Sequence, residues 1–150
     1  MMMKKSSYLK SIVLVVIQFA CLGLIALSGP LIPSNVILLV VELLGIGLGI
    51  WAVLTMRIGN FNIIPDPLNH SQLVTSGPYN LIRHPMYLAV LLTTLPLIIY
   101  SFDPFRLTIW MILLFDLLVK LNYEERLLAE KLVGYDRYIQ RSYRLVPYVY

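Results

Sequence analysis

Residues 36–56 read VILLVVELLGIGLGIWAVLTM, an apolar run interrupted by one charged side chain, Glu42. A bilayer span needs about 20 predominantly apolar residues, so this stretch alone predicts a transmembrane helix. Upstream, residues 11–41 carry no charge at all, and the run from Tyr8 to Leu27 reads as an earlier span. Ser28-Gly29-Pro30-Leu31-Ile32-Pro33-Ser34 then supplies turn chemistry and a helix start. Gly45 and Gly49 stand in the small-xxx-small spacing that lets helices approach closely. Glu42 reads first as a carboxyl neutralised by burial or bonded to a neighbouring helix, and second as a contact to substrate or a proton relay.

The whole chain fits this beginning. Of its 150 residues 59% are hydrophobic and 13% charged, with a mean hydropathy of +0.78, far from the balance of a soluble domain. The length supports one domain, with two N-terminal spans in 1–57 and a core in 58–150. The net charge of +4 does not point to nucleic acid, because the basic residues alternate with apolar spans instead of gathering on a soluble module. Cys21 is the only cysteine, which excludes an intrachain disulfide and a CxxC-type metal set; no metal is expected. Met1 to Lys10 is basic and Ala26-Leu27-Ser28 resembles a cleavage site, but the apolar run is longer than a usual signal-peptide core, so a retained span is expected.

Beyond Arg57 a long connection carries Pro65-Asp66-Pro67 and His70, the latter read as structural. A third span is expected from Pro85 or Met86 to about Tyr100, bent at Pro96, followed by a turn at Ser101-Phe102-Asp103-Pro104 and a fourth span from Phe105 to about Val119. The pattern then turns amphipathic, with Leu121, Leu127, Leu128, Leu132 and Val133 among Glu124, Glu125, Arg126, Glu130 and Lys131, until Gly134 breaks it. The expected fold is all-α: a polytopic membrane bundle of about four transmembrane helices plus a C-terminal amphipathic cytosolic helix. With four spans, Lys4, Lys5 and Lys10 share a side with Arg57, Arg83 and the basic C-terminal region, leaving Arg106 alone opposite. The positive-inside rule then puts both termini and the polar segments in the cytosol.

Those segments carry the chemistry. Gly77-Pro78-Tyr79-Asn80-Leu81-Ile82-Arg83-His84-Pro85-Met86-Tyr87 sets an arginine and a histidine directly against a hydrophobic helix, where ionisable groups are costly. A proline opening that helix leaves the residues before it non-helical and able to face a ligand. His84 and Tyr87, three apart, can present to one side, and Arg83 offers a planar fork for a carboxylate. Tyr123-Glu124-Glu125 emerges on the same face of the four-span arrangement. Tyr135, Tyr138 and Arg141 recur every third residue and would share one helical face, bringing a second arginine nearby. Asp116, Lys120 and Glu124, spaced i, i+4, read as a charge-pair set along one helix face.

In this order and spacing, Leu73 to Tyr79, Arg83-His84-Pro85-Met86-Tyr87, Tyr123-Glu124-Glu125, Tyr135, Tyr138, Arg141 and Pro147 resemble the isoprenylcysteine carboxyl methyltransferase and phospholipid methyltransferase superfamily of integral membrane enzymes. The resemblance covers roughly residues 60–150. It implies methyl transfer from S-adenosylmethionine to a lipophilic or membrane-accessible acceptor, a prenylcysteine-type carboxylate being most like the family. It also implies that His84, Pro85, Tyr87, Tyr123, Glu124, Tyr79 and Tyr138 hold the cofactor, with Arg83, Arg141 and Glu125 as catalytic residues near the acceptor. Ala89 departs from the pattern, standing where a glycine is common, and predicts a tighter pocket or a displaced cofactor.

Two other classes compete. A membrane reductase using NADPH needs more phosphate-binding basic residues than this chain offers, and a non-enzymatic lipid-binding or scaffold protein would tolerate alanine at His84, Tyr87 and Glu124.

Overall fold

The computed structural model describes residues 5–56 and 73–149, and among them every regular element is helical. Lys4, Arg57, Pro65-Asp66-Pro67, His70 and Tyr150 lie outside the described residues. The elements are α1 (Lys5–Leu27), α2 (Val36–Met56), a single 3₁₀ turn (Gly77–Asn80), α3 (Pro85–Tyr100), α4 (Pro104–Lys131) and the short α5 (Tyr135–Ile139).

Local chemistry sets the boundaries. Asn35 opens α2, its Oδ1 accepting from Ile37 N at 3.0 Å and Leu38 N at 3.2 Å. Asp103 does the same for α4, its Oδ2 accepting from Phe105 N at 3.0 Å and Arg106 N at 3.2 Å, with Pro104 at the first helical position. Pro85 opens α3, and Pro96 lies inside it.

Among the described residues, two helices are long and apolar enough to cross a membrane, spanning Leu9–Leu27 and Val36–Met56. The expectation of four spans is met only in part. The third segment forms a helix of 16 residues, short of the usual span, and the fourth carries buried Arg106, Asp116 and Lys120. The amphipathic stretch is not a separate surface helix either. It continues α4 without a break to Lys131, because nothing between Val119 and Lys131 is a proline or glycine to stop it.

α2 packs chiefly on α3 and α1 on α4, with α3 and α4 meeting in the middle. Apolar burial gives little preference between helices in a bilayer, so close approach and polar ties decide the pairing. Gly45 provides the approach: a Cβ there would lie 2.7 Å from Thr93 N and 2.9 Å from Leu92 C on α3. Trp110 Nε1 donates to Thr94 Oγ1 at 3.0 Å and ties α4 to α3. Cys21, Ile25, Leu91, Leu97, Leu113, Leu117 and Leu121 fill the centre. At one end Tyr100 Oη donates to Ser34 Oγ at 2.8 Å, joining the two turns, and Arg106 is buried beside them. The polar residues of the candidate site gather at the other end. Glu42 is buried on α2, away from that site, with its Oε2 unpartnered among the described residues.

Candidate active site

The site begins with a backbone constraint. Gly77 has φ +57°, and a Cβ on it would lie 2.7 Å from Thr55 Oγ1, so only glycine fits this turn against the end of α2. The turn buries Tyr79, and the short irregular segment 81–84 leads from it to the start of α3. There the C-terminal tail docks as a parallel bridge: Tyr143 N donates to Leu81 O at 2.8 Å, Arg83 N to Tyr143 O at 2.8 Å and His84 N to Arg144 O at 3.1 Å.

Behind this bridge lies a buried ionic knot centred on Glu125 of α4. Arg83 Nε donates to Glu125 Oε1 at 2.7 Å, and Arg144 Nε to Glu125 Oε2 at 2.9 Å. His84 Nε2 lies 3.4 Å from Glu125 Oε1. Arg83 Nη1 also donates to the carbonyls of Ser142 and Ile139, tying α3's entry to the tail. Burial works against the Glu125 charge, but His84 and Arg83 outweigh it and hold its carboxyl down to about 2.

In front of the knot is a cavity of about 220 Å³, lined by Tyr79, Arg83, His84, Pro85, Met86, Tyr87, Val90, Lys120 and Glu124, with Gln18, Phe19 and Met56 from α1 and α2. The rings of His84 and Tyr87 stack, with centroids 5.3 Å apart and planes within 4°. Tyr87 Oη donates to Glu124 Oε2 at 2.7 Å, and His84 Nδ1 is 3.7 Å from the same oxygen. Tyr79 Oη is buried without a hydrogen-bond partner among the described residues, whereas His84 Nε2 faces Glu125. Burial, then the Glu124 and Tyr138 charges, push the Tyr79 phenol upward, so it is a donor at neutral pH.

Of the residues singled out in the sequence, Tyr79, Arg83, His84, Pro85, Tyr87 and Glu124 therefore meet around one cavity, while Glu125 stands behind it. Tyr138 supports the site indirectly. Its Oη donates to Tyr79 O at 2.6 Å, and burial raises its phenol to about 12. Tyr123 is half-buried and does not line the cavity. Arg141 is exposed, because α5 ends at Ile139 and the threefold repeat shared by buried Tyr135 and Tyr138 does not carry on as helix. The second arginine at the site is Arg144, which the periodicity did not reveal; the extended tail delivers it. Lys120 does not pair with its helix neighbours either: its Nζ donates to Gln18 Oε1 on α1 at 2.7 Å. Ala89 does not narrow the cavity. It is buried against α2, where a Cβ on Gly49 would lie 3.4 Å from its own.

The described residues contain no group of three or more His, Cys, Asp or Glu able to hold a metal. A family model described as phospholipid methyltransferase matches residues 36–133, well over half of the chain. No curated protein and no solved structure matches it.

Proposed function

The chain belongs to the phospholipid methyltransferase family and is a membrane methyltransferase, and from that premise we propose that it transfers the methyl group of S-adenosylmethionine to a lipophilic acceptor. The observation that carries this reading is the cavity itself, in which an aromatic pair, a carboxylate and an unpartnered buried hydroxyl, Tyr79 Oη, converge. That set fits the cofactor. Its ammonium calls for the Glu124 carboxylate, and its adenosyl heteroatoms for a donor such as the Tyr79 hydroxyl.

When bound, S-adenosylmethionine supplies a methyl group activated on sulfur. The residues of the chain hold, orient and exclude water, which is what an in-line displacement requires. Pro85 and the tail bridge fix His84, Tyr87 fixes Glu124, and Tyr138 fixes Tyr79. Arg83 and Glu125 act as positioning residues in this reading, since both side chains are committed to the knot. Arg141, exposed on the tail, lies away from the cavity and is not retained as an acceptor contact. Four membrane crossings, with α3 and α4 as a hairpin and the site on the cytosolic face, agree with the distribution of basic residues. The NADPH alternative calls for more cations than Arg83 and Lys120, the two strong bases lining the cavity among the described residues.

The direct test is transfer of radiolabel from methyl-labelled S-adenosylmethionine into the lipid extract of membranes containing the chain. Label in the extract is expected with the wild type and not with Glu124→Ala. Equal incorporation by the two proteins would refute the assignment of the cavity.

A further inference from the structure

Lys120 enters the cavity from α4 at a place where a charge is expensive. It is 3% exposed, between the buried Leu117 and Leu121. Its Nζ donates to Gln18 Oε1 at 2.7 Å and lies 5.4 Å from the Tyr87 ring centroid. Both partners are neutral. Among the described residues no carboxylate forms an ion pair with this ammonium, whereas Arg83 and Arg144 are both paired with Glu125. Burial works against the Lys120 charge, and Asp116 and Glu124, one helical turn away on α4, offset that in part. Neither neutralises it: Glu124 Oε2 accepts from Tyr87 Oη, and Asp116 does not line the cavity. Gln18 is itself a polar residue in the otherwise apolar stretch of α1 from Ile12 to Leu27, and its amide aims the ammonium while leaving two of its three donors for something else.

We propose that Lys120, aimed by Gln18, is the point at which this cavity binds an anionic oxygen of its ligand, a carboxylate or a phosphate. In the methyltransferase reading, on which the identity of the ligand rests, the anion comes either from the amino-acid end of the methyl donor or from the headgroup of a lipid acceptor. A buried ammonium without an anionic partner gains most from such a ligand, because the charge-assisted hydrogen bond forms where little water competes.

The full chain in neutral detergent is titrated with three probes. These are S-adenosylhomocysteine, methylthioadenosine (the same adenosyl thioether without the amino-acid carboxylate) and dodecyl phosphate. Lys120→Met is expected to weaken one of the two anionic probes by about tenfold or more, as for loss of a hydrogen bond to a charged group. Methylthioadenosine binding stays unchanged, and Lys120→Arg recovers most of the loss. A loss on S-adenosylhomocysteine assigns the site to the donor carboxylate, and a loss on dodecyl phosphate assigns it to a headgroup phosphate. If Lys120→Met, melting as the wild type does, binds both anionic probes as tightly, the proposal is overturned. Should that variant not fold, Lys120→Gln carries the same comparison. A wild type that takes dodecyl phosphate through Lys120 but not S-adenosylhomocysteine sinks the methyl-donor reading and leaves the role of Lys120 standing. Binding of neither probe overturns both.

Discussion

Replacing Glu125 by Gln removes one negative charge from the centre of the knot while keeping its size. Glu125 is 7% exposed, and the Arg83 side chain it faces is 6% exposed, so water cannot replace the lost carboxylate. The carboxyl is held at about 2 against an ordinary 4.5, which at about 1.4 kcal/mol per unit corresponds to about 3 kcal/mol of folded-state stabilisation. This agrees with the roughly 3–5 kcal/mol lost when one partner of a buried ion pair is removed. Because the folded-state value is depressed, the contribution is complete above about pH 4.5 and disappears as pH falls through about 2. Glu125→Gln should therefore melt well below the wild type at pH 7, and the gap should narrow with acidification from about pH 4.5 downward. Hydrogen exchange read on residues 139–145 gives the local signature, since Arg83 binds the carbonyls of Ile139 and Ser142 and the bridge holds Tyr143. Equal melting at pH 7, with the tail amides equally protected, would refute the claim that this carboxylate holds the tail on the site.

Two further outcomes follow from the packing. Gly45→Ala places a methyl group 2.7 Å from Thr93 N, which α3 can relieve only by moving its backbone, so the variant should lose about 1–3 kcal/mol in thermal or denaturant unfolding. Tyr138→Phe strips the donor from the buried carbonyl of Tyr79 and should cost about 1–3 kcal/mol of stability, with a weakened ligand affinity because Tyr79 lines the cavity.

The helices were legible because hydropathy and prolines mark them directly: α2 begins at Val36 and α3 at Pro85, as read. Close helix approach was legible in Gly45, though not that α3 is the partner, and the spacing of His84 and Tyr87 put them on one side, though not that their rings stack. What periodicity cannot show is where an irregular chain returns. The tail pairs with residues 81–84 through backbone groups, which leave no trace in side-chain pattern, and so Arg144 was hidden while Arg141 was favoured. Lys120 was read only in part, for a related reason: Asp116 and Glu124 do act on its charge. Its i, i+4 neighbours are acidic, but its partner comes from α1, across the bundle, where only the packing of α1 on α4 could have placed Gln18. About four crossings were expected from the sequence, and only two helices among the described residues have the length and hydropathy of a span, because α3 is short and α4 mixes apolar length with buried charge.

The most direct test of the central claim is calorimetric titration of the purified chain, in lipid, with S-adenosylhomocysteine. Saturable binding to the wild type is expected, with its loss in His84→Ala while the melting profile and helical content of that variant persist. Binding unchanged by His84→Ala, or no saturable binding to the wild type, would contradict that claim.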